Sequence, residues 1–118
     1  MSNPASANIM MPIQQFEGEL RRVARLVPKA TVENPLAAIV QKIVQNPAYN
    51  ESRLLTRLLT ALTYQRGEFR FAEAAVFDTA TLALIVGLLD TLSAGSVTDS
   101  QCRLAVEAAD AAQLSVGG

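Results

Sequence analysis

Apolar residues recur every three or four positions through most of this chain, and each run ends at a proline, a glycine or a polar capping residue. From about Ile13 to Val27, Phe16, Leu20, Val23 and Val27 lie four, three and four positions apart, the spacing that aligns one face of an α-helix. Pro12 suits its first turn and Pro28 ends the run. Asn34-Pro35 reads as an N-cap followed by proline at the first helical position. Leu36, Ile39, Val40, Ile43 and Val44 then supply one apolar face. Asn46-Pro47 closes that helix, because the residue before a proline disfavours helical backbone. Asn50 is the expected N-cap of a third helix. Leu54, Leu55, Leu58, Leu59 and Leu62 make its apolar side, with Arg53, Thr56, Arg57 and Thr60 opposite. Gly67 stands where a left-handed helix terminus would use it.

The rhythm then breaks. Glu68-Phe69-Arg70-Phe71 alternates polar and apolar positions, which is the period of a strand. Nothing else in the chain reads as a pairing partner, and a lone strand is not stable. A linker whose rings plug the core is therefore expected, followed by a helical turn through Phe77. Asp78 makes a good N-cap for the next helix, Thr79–Ala94, and Gly95 ends it. Leu82, Leu84, Ile85, Val86, Leu88, Leu89 and Leu92 put apolar side chains nearly all round that helix. Such a helix lies at the centre of a bundle or is shared between subunits. Thr98-Asp99-Ser100-Gln101 is a capping box for the last helix. Cys102, Ala105, Val106, Ala109 and Ala112 share one of its faces, and Asp99, Arg103 and Glu107 form a solvated stripe.

These segments predict an all-α fold, a single-domain helical bundle of about five helices with short loops. Residues 1–11 are expected to be a flexible N-terminal tail, 12–115 the bundle and 116–118 a frayed C-terminus. Met10 and Met11 are alternative starts to Met1. A domain of 118 residues can bury roughly two-thirds of its unfolded surface, so no metal or disulfide staple is required.

Composition narrows the chemistry. There is no His and one Cys. Without His, the usual triads, general bases and most zinc and iron sites are excluded. Cys102 alone cannot close an intramolecular disulfide, which fits a reducing compartment. Cys102 sits near a helix N-terminus, a position that lowers a thiol pKa, so a reactive thiol is weighed against a small buried residue. Glu68, Glu73 and Asp78 are close in sequence and could do acid–base work, but capping and surface charge explain them as well. The longest apolar run, Leu82–Leu89, is far short of the about 20 residues a membrane helix needs. The expectation is a soluble, cytoplasmic protein that is not an enzyme and holds no cofactor or metal.

Charge divides unevenly. Residues 1–70 carry nine Lys or Arg and five Asp or Glu, whereas residues 71–118 carry one and six. Arg21, Arg22, Arg25 and Lys29 cluster on and after the first helix, and Arg53 and Arg57 lie four apart on the third. A nucleic-acid-binding regulator would gather such residues on one face, since phosphate neutralisation supplies most of the affinity. A pair of halves that neutralise each other, or a solvated face, accounts for the same residues.

Two further features suggest a protein partner. Ala80, Ala83, Gly87 and Ala94 can share one side of the apolar helix with Asp90 and Thr91 beside them, and small residues at such spacing let a second helix approach closely. Phe69 and Phe71 lie in the adjoining segment, and aromatic residues are enriched at interface centres. The favoured reading is a protein–protein interaction or adaptor module that self-associates, as a homodimer, through Ala83, Gly87, Asp90, Ala94, Phe69 and Phe71. Nucleic-acid binding through Arg21, Arg22, Arg25, Arg53 and Arg57 is the alternative.

Overall fold

The computed structural model of the chain describes residues 9–28 and 32–117. Its elements run in the order β1 (Met10–Pro12), α1 (Ile13–Ala24), α2 (Pro35–Gln45), α3 (Asn50–Tyr64), β2 (Glu68–Arg70), a 3-10 helix (Phe71–Val76), α4 (Thr79–Ser93) and α5 (Asp99–Gly117). The architecture is an all-α helical domain with one two-stranded ribbon. Among the described residues, no helix is long and apolar enough to cross a membrane.

Local chemistry starts and stops most of the helices where the sequence suggests. The Asn34 side chain accepts from the Ala37 N–H at 3.1 Å, with Pro35 opening α2. Asp78 accepts from the Thr81 N–H at 2.7 Å at the start of α4. Thr98 and Gln101 cap α5 reciprocally: the Thr98 N–H donates to Gln101 Oε1 at 2.8 Å and the Gln101 N–H to Thr98 Oγ1 at 3.1 Å. At the end of α4, the Gly95 N–H donates to the Leu92 carbonyl and the Ser96 N–H to the Thr91 carbonyl, with Gly95 at φ 73°. This pair of bonds is a Schellman motif, and it needs a residue that accepts left-handed backbone. Glu51 of α3 adds a clasp, accepting from the Asp78 N–H at 2.9 Å and from the Thr81 hydroxyl at 3.0 Å. Two carboxylates thus face the positive end of the α4 dipole.

Five expectations need correction. The boundary between tail and bundle does not fall after Met11. Met10–Pro12 pairs antiparallel with Glu68–Arg70, Met11 opposite Phe69, and the ribbon extends through Ile13 N–H to the Gly67 carbonyl and Phe71 N–H to the Ile9 carbonyl. The remainder of the expected tail, residues 1–8, lies outside the described residues. For the same reason Glu68–Arg70 is a strand and not a linker: its partner is a three-residue segment too short to show a period. The N-cap of α3 is Tyr49 rather than Asn50. Gln65, at φ 55°, takes the left-handed position that was expected of Gly67. Gly67 is needed for a different reason, since a Cβ there would come within 3.2 Å of the Ala61 Cβ. Finally, α5 stays helical through Gly117, so 116–117 continue the helix, while Gly118 is not described.

Helix α1 buries Ile13, Phe16, Leu20 and Ala24. Its apolar face is thus rotated relative to the expected one, and Val23 and Val27 are only half-buried. The core joins these residues to Ile39 and Ile43 of α2, Leu55 and Leu58 of α3, Ile85 and Leu88 of α4, and Val106 and Ala109 of α5. α2 packs against both α4 and α5, α1 packs against α4, and α3 packs against α5. From Thr81 to Leu92, every position of α4 is buried or half-buried. Two helices of the same chain, α1 and α2, pack on this apolar helix.

Candidate functional site

The six residues expected to meet a partner do not form one open face. A Cβ on Gly87 would stand 3.2 Å from the Pro35 Cγ, so the missing side chain admits α2 of the same chain. Asp90 accepts from Arg21 of α1 at 2.9 Å, with both side chains about half exposed. Ala83 is buried. Ala94 is exposed at the helix end. Phe69 is 1% exposed and stacks on Phe16, their ring centroids 4.6 Å apart and their planes 6° from parallel. Strand alternation turns Phe69 inward opposite Met11 and leaves Glu68 and Arg70 outside, which is why Phe69 belongs to the core. Phe71, one residue past the ribbon, remains partly open with the Arg22 guanidinium 5.9 Å from its centroid.

Three of the five candidate arginines are engaged in ion pairs. Arg21 pairs with Asp90, Arg22 with Glu19 at 2.5 Å, and Arg57 with Glu73 at 2.5 Å. Arg57 also donates to the Glu68 carbonyl at 3.2 Å and lies 4.9 Å from the Phe69 centroid. Arg57 therefore ties the segment Glu68–Glu73 to α3, and the Arg22 guanidinium lies over Phe71 in the same segment. Arg25 and Arg53 are exposed, and Lys29 lies outside the described residues.

The candidate acids have structural occupations. Burial pushes the Glu73 carboxyl up, but the Arg70 N–H and the Arg57 guanidinium outweigh it and hold the group below its ordinary range. The N–H of Thr81 holds Asp78 down in the same sense. Cys102 shows the opposite trend. Burial, and then the carboxylate of Asp99, pushes its thiol up despite a hydrogen bond with Thr63. The helix-terminus effect expected to activate this thiol is thus overridden, and Cys102 is 8% exposed.

A surface that the sequence did not single out lies between α2 and α5. It is a groove of about 500 Å³. Buried Leu36 and Ala105 and half-buried Val40 line it, together with Val44 and Leu104, which are 51% and 64% exposed. Ala37 and Ala108 add small apolar surface, and the polar contributors are the amides Asn34, Gln41, Gln45 and Gln101. No described lining residue is charged. The signal was present in the sequence. At 100° per residue, the five apolar residues of α2 plus Ala37 span about 160° of the helix, more than one core can cover. On α5, Leu104, Ala108 and Ala111 make a second stripe beside the buried one.

Searches for a matching protein family, for similar curated proteins and for similar solved structures find no significant match to this chain.

Proposed function

We propose that the chain is a protein–protein interaction module, an adaptor that associates first with itself, and that it acts by burying apolar helix surface. The observation that carries this reading is the open groove between α2 and α5, whose described lining residues carry no charge. Each square ångström of apolar surface removed from water is worth roughly 25 cal/mol, so covering the exposed Val44 and Leu104 side chains with a partner is favourable. The side-chain inventory supports the same view. There is no His, the acids Glu73 and Asp78 are engaged in caps and ion pairs, and the lone thiol is buried. A single unpaired cysteine also suits a reducing setting such as the cytoplasm.

The test is the solution mass, measured by light scattering over a concentration series. Association predicts a mass that rises towards twice 12.6 kDa. A mass that stays at the single-chain value across the series rejects self-association.

A further inference from the structure

We infer that the occupant of the α2/α5 groove is a second copy of this chain, bound face to face about a two-fold axis, with Leu104 of each copy inserted in the groove of the other. This rests on the self-association proposed above and specifies its surface and symmetry.

Three observations carry it. The first is charge. A two-fold axis sets a patch against itself, so a charged residue near the axis meets its own copy, and such like-charge contacts oppose association. Among the described residues, the groove is lined by apolar and amide side chains. These side chains can meet their own copies without repulsion. An acidic or basic peptide, by contrast, would find no counter-charge among the described lining residues.

The second is shape. An isologous interface needs a projection and a recess on the same patch. Leu104 stands 64% exposed at the edge of the recess whose floor includes Leu36 and Ala105, both 7% exposed. The third is the backbone. Ala105 and Ala108 lie next to Leu104 on the groove side of α5, and such small residues let a second helix come near. The described lining comprises twelve residues, about half of what one side of a standard interface uses. The groove is then the centre of a modest interface, whose two halves separate on dilution.

Because Leu104 both enters one groove and lines the other, the two copies of position 104 meet in the pair. This gives a decisive experiment. Leu104→Glu and Leu104→Lys are prepared separately, and their masses are measured by sedimentation equilibrium alone and in equimolar mixture, beside the unsubstituted chain. Far-UV circular dichroism checks that the helices persist, as the exposure of Leu104 predicts. Where the unsubstituted chain has twice the single-chain mass, each variant alone is expected at the single-chain mass, with its dissociation constant raised at least about tenfold. The mixture is expected to recover the double mass, since Glu then meets Lys.

Variants that keep the double mass would place the dimer on another face, overturning this inference while leaving self-association standing. Dissociation without recovery in the mixture overturns the two-fold pairing. A mass that grows past the double value means a head-to-tail chain and overturns closure. An unsubstituted chain that is always single removes both proposals. Should either variant lose helix, the pair Val44→Glu and Val44→Lys asks the same question from α2.

Discussion

Helices α4 and α5 are both rich in apolar residues, and they end in opposite circumstances. α4 carries Leu, Ile and Val on nearly every side, and α1 and α2 of the same chain cover it from Thr81 to Leu92. α5 looks more modest, with alanines in place of leucines, yet it leaves Leu104, Leu114 and Val116 exposed. Total hydrophobicity therefore says little about what a helix offers to a partner. A helix that is apolar all round is one the fold must surround. A helix with an ordinary buried stripe, and a second stripe beside it, is one the fold can cover on one side only. The small residues follow the same logic. Gly87 on α4 admits Pro35 of its own chain, whereas Ala108 on α5 faces an open groove.

The sharpest way to break this contrast is to make one substitution in both places. Leu88 is 1% exposed and Leu104 is 64% exposed. Leu88→Ala should cost about 2–5 kcal/mol of unfolding free energy through lost burial and a residual cavity. Leu104→Ala, measured by denaturant unfolding at concentrations where the chain is single, should stay within about 0.5 kcal/mol. Similar losses at the two sites would show that α5 is covered after all.

A smaller effect is expected where the helices of the same chain come closest. Gly87→Leu forces side-chain atoms against the Pro35 ring, and overpacking of this kind costs about 1–3 kcal/mol. Up to about 1 kcal/mol returns through better helix propensity. A net loss of about 1–2 kcal/mol with the solution mass unchanged is expected. If the mass shifted and stability did not, the face of α4 would be a contact between copies.

The smallest effect lies at the start of α4. Asp78→Ala removes the cap and should cost about 1 kcal/mol, while Asp78→Asn should cost less because it still accepts the Thr81 N–H. The folded chain holds the Asp78 and Glu73 carboxyls below their ordinary values. Their stabilisation is therefore fully present above the unfolded carboxylate range, about pH 4, and is lost as pH falls through the depressed folded values. Glu17 opposes this trend, because burial pushes its carboxyl up even with Arg21 pulling it down. Acid titration of the Asp78→Ala chain should show a weaker loss of stability between about pH 5 and pH 2 than the unsubstituted chain. An unchanged acid limb would mean that the cap contributes nothing through its charge.

What could be read in the sequence was short in range. Asn34, Asp78, Gly95 and the Thr98–Gln101 pair each act within a few residues of themselves, so their roles followed from local spacing. The ribbon could not be read that way. Phe69 alternates correctly for a strand, but its partner Met11 is about 60 positions away and lies in a three-residue segment ending in proline. Coverage was equally out of reach. The pattern of α4 states that something must surround it and is silent on whether that is α2 or another copy. The groove was missed for a related reason: Val40 and Val44 fit the spacing of a buried stripe, and only the position of α5 decides which edge of that stripe stays open.

The pairing of β1 with β2 also sets an order on the making of the protein. Phe16 in the first helix finds its stacking ring, and the Ile9 carbonyl its donor, only in Phe69 and Phe71. A growing chain must therefore carry α1 with its buried face unfinished until α2, α3 and the ribbon's second strand have all been synthesised. Closing so long a loop carries an entropic cost that local helix formation avoids. The helices can form as they emerge, but the layer that locks α1 in place is completed only after more than half of the chain has been made.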